Sequence, residues 1–213
     1  MGTEATRTRI IEGAAAVFGA AGIAEATVQD VLERASVSRR TFYQYFTSKE
    51  DVLAAVYDGW VDELVQRVGG MAVSGSEPVD VVVAALDTWL QQLQRDAPLS
   101  IRMMVEAARH DSQLHARREH TFDVLVSTTD EAMRGFLGAR VDPLVYRALF
   151  LGAEGLVLHL AERGELERAP ARLRRVVGAL FFTVLGSHDT LPDPPRGEPA
   201  GAGDEAAGAG RSG

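Results

Sequence analysis

The chain of 213 residues contains no cysteine, so disulfides, thiolate metal sites and thiol catalysis are excluded. A chain without cysteine suits a reducing compartment, and we predict a cytoplasmic protein. The N-terminal residues lack the apolar core of a signal peptide, because Thr3 to Arg9 is polar and Glu12 interrupts the next apolar residues. The most apolar stretch, Leu144 to Leu160, is interrupted by charged and titratable side chains, which predicts a buried helix rather than a membrane span.

No stretch alternates apolar and polar residues with the period of two that a half-buried β-strand requires. Apolar residues recur instead at the spacing of helix faces, which predicts an all-α fold of about nine helices. Four of the eight prolines stand just before such runs, where the first position of a helix tolerates proline. We expect helices near residues 3–22, 27–34, 38–45, 48–68, 78–95, 98–109, 112–139, 142–163 and 170–187.

Composition changes along the chain and predicts three segments. Residues 1–50 hold six basic and six acidic side chains, whereas residues 51–213 hold sixteen and twenty-four, so the net charge of -8 lies entirely in the second segment. From Thr190 onward the chain is rich in proline, glycine, alanine and charge, a composition that cannot bury enough apolar surface to fold. We therefore predict a three-helix first domain over residues 1–49, a second helical domain over 50–189, and a disordered tail over 190–213.

A window without acidic residues lies between positions 33 and 50 and holds four cations. In a protein of net charge -8, such a window is a candidate surface for phosphate groups. Around it, residues 27–46 have the proportions of a helix–turn–helix. Thr27 can cap the first helix with Asp30 as the partner of a capping box, and Ser38 can cap the second helix after a turn at Ser36.

The second helix of this segment predicts a nucleic-acid interface. At about 100° per residue, Arg39, Arg40 and Gln44 share one face, and they carry the donors and acceptors that read guanine and adenine edges. Phe42 and Phe46 lie one turn apart on another face and are expected to anchor the helix in a small core. The predicted DNA-contacting residues are Thr27, Ser38, Arg39, Arg40, Thr41, Tyr43, Gln44, Tyr45 and Lys49. The last of these suits a phosphate, because it stands at a helix N-terminus where free N–H groups favour an anion.

Residues 41–53, Thr-Phe-Tyr-Gln-Tyr-Phe-Thr-Ser-Lys-Glu-Asp-Val-Leu, resemble a stretch of the DNA-binding domain of TetR-type (TetR/AcrR) transcriptional regulators. The stretch Phe18–Gly22 and the helix from Thr27 to Ala35 are similar to that family as well. The family usually has glycine where this chain has Ser36, and glycine tolerates the left-handed conformation of a helix C-cap better than serine does. A slight strain is therefore expected at this turn.

The resemblance implies that the remaining helices form a ligand-binding and dimerisation domain, and that the protein is a homodimer. It also implies a transcriptional regulator, and we expect a repressor that a small molecule releases from a near-palindromic DNA operator. The last two helices are apolar nearly all round, which is typical of a four-helix interface between subunits, although burial within a monomer would explain them as well. The predicted interface residues are Leu149, Leu156, Leu160, Leu173, Val177, Leu180 and Phe181.

The effector pocket is predicted less specifically than the DNA interface. Apolar side chains that could line it, and polar side chains that could anchor a ligand, are spread over the second domain, although most of the apolar ones would serve equally well as core. The candidates are Trp89, Met103, Glu106, Phe122, Tyr146 and Glu154. For Glu154, which stands between apolar neighbours, a structural ion pair is favoured over a ligand contact.

Two other classes of function compete with this interpretation. A helical small-molecule binder or scaffold would keep the fold but bind no specific DNA. An enzyme would need a cluster of titratable groups, and since none stands out we predict no catalytic residue and no cofactor. The interrupted apolar stretch from Leu144 to Leu160 also leads us to predict no membrane partner. Five residues have spacings compatible with a metal, but interleaved arginines favour a solvated helix face, and no metal site is predicted; they are His110, Asp111, His115, Glu119 and His120.

Overall fold

The computed structural model describes residues 2–71, 78–137, 141–168 and 170–187, and most of these residues are helical. The nine α-helices of the described ranges, in which no strand occurs, confirm the predicted all-α fold. Their bounds are α1 Gly2–Ala21, α2 Val28–Ala35, α3 Arg39–Tyr43, α4 Lys49–Met71, α5 Pro78–Arg95, α6 Ala97–Ala108, α7 Gln113–Leu137, α8 Pro143–Glu162 and α9 Pro170–Ser187. A short 3-10 turn at Leu166–Arg168 lies between α8 and α9. The tail predicted over 190–213 lies outside the described residues.

Local sequence signals set several helix ends. α1 is followed by Gly22, whose φ of 108° is a conformation that only glycine adopts readily. Asp96 caps α6, where its carboxylate accepts the N–H of the third helical residue at 3.4 Å. Asp142 caps α8 in the same way, since it accepts the N–H of Leu144 at 2.9 Å, and Pro143 occupies the first helical position.

A first hydrophobic cluster packs α1, α2 and α3 against α4, α6 and α7. Ile10, Phe18 and Phe42 are fully buried in this cluster. α1 and α2 approach closely at Gly13, where an added Cβ would lie only 2.9 Å from the Cβ of Ala35. Buried residues of α4, α6 and α7 belong to the same cluster, so it runs across the domain boundary predicted at position 49, and that boundary stays a prediction.

A second hydrophobic cluster fills the body formed by α5 to α9. Tyr146, Val157 and Val177 are among its fully buried members. Trp60 on α4 packs against both clusters, and Gln92 on α5 donates to the backbone carbonyl of Trp60 at 2.7 Å. α4 therefore passes from the N-terminal helices into the body.

The side chain of Arg102 on α6 caps the C-terminal end of α1. Its Nη1 donates to the carbonyl oxygen of Phe18 at 2.7 Å and to that of Gly19 at 2.6 Å. The last carbonyls of a helix have no partner within the helix, and the helix dipole favours a cation there. The body and the N-terminal helices are thus joined by a charge-assisted contact as well as by apolar packing.

The core of the body contains part of the predicted dimer interface. Four of the predicted residues are at most 5% exposed and belong to the second cluster: Leu149, Leu173, Val177 and Phe181. They pack mostly inside the subunit. Leu156 and Leu160 are half-buried, and Leu180 is 38% exposed. Because α8 and α9 are apolar nearly all round, the sequence did not reveal which face points inward, and the subunit interface stays a prediction for all seven residues.

Large apolar side chains remain on the outer faces of α8 and α9. The exposed ones are Leu144 and Leu151 on α8 and Val176, Leu180 and Phe182 on α9. α8 passes the length and composition test for a membrane span, with a mean hydropathy of 1.4, as core helices of soluble proteins also do. Only 22% of its most apolar 18-residue segment is buried inside the subunit. The sequence predicted a buried helix, and the structure buries one face of it.

Candidate nucleic-acid interface

α2 and α3 meet at a tight turn that their own polar side chains define. At the start of α2, the Thr27 hydroxyl accepts the N–H of Asp30 at 3.2 Å, and the Asp30 carboxylate accepts the N–H of Thr27 at 2.9 Å. This is the predicted capping box. At the end of α2, Ser36 has φ 52° and ψ 49°, the left-handed conformation expected for this position. Its N–H and that of Val37 donate to the last carbonyls of α2, which closes the helix.

Ser38 caps α3 as predicted. Its hydroxyl oxygen accepts the N–H of Thr41 at 3.0 Å, and the hydroxyls of these two residues lie 2.8 Å apart. Both side chains therefore have local partners that fix the first turn of the helix. Their predicted contacts with phosphates stay a prediction.

The outer surface of α3 carries the predicted base readers, and we call Arg39, Arg40, Tyr43 and Gln44 the recognition face. All four are exposed, with Tyr43 at 49%. α3 ends at Tyr43, and Gln44 continues the helical backbone with φ -76° and ψ -21°. Beneath this face, the buried rings of Phe42 and Phe46 lie 5.9 Å apart, as the sequence predicted. Tyr45 is half-buried and packs against the first cluster.

The sequence did not reveal a polar chain from α3 back to α2. Arg39 Nη2 donates to Gln29 Oε1 at 3.2 Å, and Gln29 Nε2 donates to Glu33 Oε1 at 2.9 Å. The spacing of Gln29 and Glu33, four residues apart on a helix, is a signal that could have paired those two. The contact with Arg39 crosses between helices and could not be read from spacing.

Lys49 is engaged within the protein. Its ammonium group donates to the carbonyl of Ile23 at 2.9 Å and to that of Ala24 at 3.2 Å, which ties the start of α4 to the loop after α1. An ammonium group has three donors, so one is left for a phosphate. The role predicted for Lys49 stays a prediction, and the structure adds a second role in holding the loop.

Two further features lie beside the recognition face. The guanidinium carbon of Arg7 on α1 lies 5.5 Å from the centre of the Phe46 ring, an orientation that places an exposed cation next to α3. The start of α4 is capped by Ser48, which accepts the N–H of Asp51 at 3.1 Å, while Asp51 accepts the N–H of Thr47 at 2.8 Å. α4 is thus fixed directly after α3.

Three of the six residues predicted to bind an effector lie in or against the two clusters. Met103 belongs to the first cluster and Tyr146 to the second, and Trp89 packs against the second. Glu106 is half-buried and pairs with Arg109 at 3.4 Å. A groove of about 490 Å³ between α5 and α9 contains none of the six; its lining includes Val83, Leu86, Arg174, Arg175 and Phe182. The effector site therefore stays a prediction.

Glu154 forms the ion pair that the sequence favoured. Its carboxylate accepts Arg118 Nη2, and it accepts Arg118 Nε at 3.2 Å, while both side chains are mostly buried. The Arg118 guanidinium also lies 4.6 Å from the ring centre of Phe122. α7 and α8 are thereby joined by a bidentate pair over an aromatic ring. On α4, burial raises the pKa of Tyr57, whose hydroxyl group is hydrogen-bonded to Thr121 of α7.

The five residues with metal-compatible spacings do not converge on one point. His110 and His115 stack with ring centres 4.6 Å apart, and Asp111 pairs with Arg109 at 2.9 Å. Within the part of the chain that the structure describes, no group of three or more His, Asp or Glu residues is arranged to hold a metal ion.

The fold and the recognition face define a helix–turn–helix protein with a helical body. Residues 10–56 match the family model for bacterial regulatory proteins of the tetR family. The N-terminal helices of this chain are therefore similar to those of the bacterial regulatory proteins of the tetR family.

Characterised relatives agree over the N-terminal part. The chain is 26% identical over 87 residues to the HTH-type transcriptional repressor KstR2 of Rhodococcus jostii, which is 41% of this chain and 43% of KstR2. It is 43% identical over 53 residues to the HTH-type transcriptional regulator SrpR of Pseudomonas putida, which is 25% of each chain. The chain thus matches less than half of the length of either relative.

A solved structure extends the likeness to the body. FadR from Thermus thermophilus, a TetR family transcriptional repressor in complex with lauroyl-CoA, has a TM-score of 0.64 and 24% identity. The match covers 92% of this chain and 100% of that chain. The two proteins therefore share the fold over almost their whole lengths.

Proposed function

We propose that this protein is a homodimeric transcriptional repressor that reads a near-palindromic operator with α3 and leaves DNA when a small molecule binds its body. The recognition face carries the proposal. Arg39, Arg40 and Gln44 stand exposed on a helix that Phe42 and Phe46 anchor and a serine caps. Arginine and glutamine side chains on the outer face of a helix match the donor and acceptor pattern of the DNA major groove.

The side chains around α3 support separate sets of residues for phosphate contacts and for base contacts. The hydroxyl groups of Thr27, Tyr43 and Tyr45 and the ammonium group of Lys49 flank the base readers and suit phosphate oxygens. Phosphate contacts set the position of the protein and base contacts set its sequence preference. In this assignment Arg39, Arg40 and Gln44 decide which sequence is bound.

Dimerisation is supported by the outer faces of α8 and α9. Leu151 and Gly155 are exposed on α8, and Val176 and Leu180 are exposed on α9, so an apolar surface runs along both helices. Two copies related by a two-fold axis would cover this surface on each other. The same axis would present two copies of α3 to operator half-sites about 34–36 Å apart, one turn of DNA.

Release by an effector is supported by the contact between α6 and α1. Arg102 holds the last carbonyls of α1, so a ligand that favours another position of α6 in the body also changes the position of α1. DNA and ligand then prefer different conformations, and each lowers the affinity for the other by the same factor. The complex of Thermus thermophilus FadR with lauroyl-CoA supports a small molecule as the effector class.

Footprinting on the DNA that flanks the protein's own gene tests the proposal. At about 0.15 M salt, where the screening length is about 8 Å, we expect the full-length dimer to protect two symmetry-related half-sites. A variant that combines Arg39→Ala with Arg40→Ala is the matched control and should protect neither. Candidate metabolites are then added to find the one that abolishes protection. Wild-type binding that is no tighter than to random DNA would overturn the proposal in favour of a helical small-molecule binder or scaffold.

A further inference from the structure

Gln29 lies outside the helix that carries the recognition face, yet it contacts Arg39. We propose that Gln29 is a specificity-determining positioning residue, which holds the guanidinium group of Arg39 in place to read a base pair, and that Glu33 in turn holds Gln29. The inference rests on the proposed function, because it concerns how the protein distinguishes one DNA sequence from another.

The chemistry of the two neighbours fixes the orientation of the Gln29 amide. Arg39 can only donate and the Glu33 carboxylate can only accept, so the amide must turn its oxygen to Arg39 and its nitrogen to Glu33. The distances agree, at 3.2 Å from Arg39 Nη2 to Gln29 Oε1 and 2.9 Å from Gln29 Nε2 to Glu33 Oε1. The Gln29 amide, itself held by Glu33 on α2, therefore fixes the position of the Arg39 side chain on α3.

A charged side chain at position 29 cannot make both contacts. A glutamate would accept from Arg39 but would have no hydrogen for Glu33 and would repel it. A lysine would donate to Glu33 but could not accept from Arg39. Asparagine has the same amide on a side chain one methylene shorter. The two partners thus suit a neutral amide on a side chain as long as that of glutamine.

Gln29, Glu33 and Arg39 line one groove of about 300 Å³ between α2 and α3. Leu32, buried in the first cluster, and Val37, packed against it, also line this groove, so its floor is part of the core. Glu33 is exposed there, and a carboxylate beside DNA repels phosphates. The hydrogen bond to Gln29 gives a reason for a carboxylate at this position although it repels phosphates.

Positioning of Arg39 should appear as sequence discrimination. A bidentate arginine discriminates its base pair by roughly 5- to 150-fold. Ordering a long side chain on binding costs roughly 2- to 12-fold in affinity, and a side chain that is already held avoids part of that cost. Only the correct base pair benefits, so loss of Gln29 should reduce discrimination at that pair by about the same factor.

Selection of bound sites from randomised DNA duplexes, with full-length protein at one salt concentration, tests the inference. The variants are Gln29→Ala, Arg39→Ala, the double variant, and Glu33→Gln. Gln29→Asn serves as a second test, because it keeps the surface polar and should lose the same discrimination as Gln29→Ala. Circular dichroism checks that each variant is folded.

We expect Arg39→Ala to remove preference at one base pair in each half-site. Gln29→Ala should weaken preference at that same pair by about 2- to 12-fold and leave the other positions unchanged. The double variant should match Arg39→Ala alone, because the two residues act as one unit. Glu33→Gln should raise affinity for all sequences alike and keep the motif, since a glutamine oxygen still accepts from Gln29.

Several results would overturn the inference. Loss of preference at a different base pair in Gln29→Ala, or losses that add to those of Arg39→Ala, would mean that Gln29 reads a base itself. An unchanged motif in Gln29→Ala would leave it without a role in reading. A changed motif in Glu33→Gln would mean that Glu33 acts through its charge and not as the acceptor that holds Gln29. If wild-type protein selects no motif, the proposed function fails first, and the inference fails with it.

Discussion

Replacing Ser36 by glycine should stabilise the protein, although it removes a side chain. Ser36 is the one non-glycine residue with positive φ in the described part of the chain, at 52°. The left-handed conformation costs an L-residue roughly 1–2 kcal/mol, because its Cβ crowds the backbone, and glycine avoids that cost. Glycine also has more conformational freedom in the unfolded chain, which costs about 0.4–1 kcal/mol on folding.

The difference between these terms is a gain of about 0.8 kcal/mol in the free energy of unfolding for Ser36→Gly. Urea titration followed by far-ultraviolet circular dichroism measures it as a higher midpoint with an unchanged slope. The structure offers a matched control, since Ser127 is exposed within α7, where glycine is a poorer helix former than serine by about 0.5 kcal/mol. The same substitution should therefore have opposite signs at the two positions. A Ser36→Gly variant that loses stability as Ser127→Gly does would refute the strain assigned to this turn.

Other predictions concern the ion pairs, the contact between helices, the subunit interface and pH. Glu154→Gln removes one of the two carboxylates beside the mostly buried Arg118, which still pairs with Glu119 at 3.1 Å, and should cost about 2 kcal/mol in urea unfolding; an unchanged midpoint would contradict this. Arg102→Met removes both hydrogen bonds to α1 and should speed hydrogen exchange at the C-terminal end of that helix. Unchanged protection there would mean that this contact does not couple effector binding to DNA release. Leu180→Glu places a charge on the outer face of α9 and should give a monomer in sedimentation; a persistent dimer would exclude this face from the interface. The bonds from Thr27 lower the pKa of Asp30, so its contribution to stability is present above the ordinary aspartate pKa of 3.8 and is lost as pH falls through the lower folded pKa. Asp30→Asn should flatten the fall in urea midpoint over that acidic range, and an unchanged profile would contradict the assignment.

The helix–turn–helix could be predicted closely because its signals are local. The capping partners of α2 and α3 stand three residues apart, so sequence spacing alone brings Thr27 to Asp30 and Ser38 to the first turn of α3. The inward pair Phe42 and Phe46 follows from helical period in the same way. Each of these contacts is decided within a single turn of chain.

Contacts between separate helices could not be predicted from the sequence. The bond from Arg39 to Gln29 and those from Lys49 to the loop after α1 depend on how separate helices pack. The burial of Leu149 and Phe181 inside the subunit could not be predicted, because both helices are apolar nearly all round and periodicity gives no direction there. The effector candidates were chosen by residue type, and residue type does not separate a pocket from a core. Met103 illustrates this, since it lies in the first cluster.

The central claim is that α3 reads a specific DNA sequence, and a comparison of two dissociation constants tests it most directly. The full-length protein is titrated with its operator and with a scrambled duplex of the same length and composition at about 0.15 M salt. We expect the operator to bind at least about 10³-fold more tightly, and the combination of Arg39→Ala with Arg40→Ala to remove most of that ratio. Equal affinity of the wild-type protein for the two duplexes would contradict the claim.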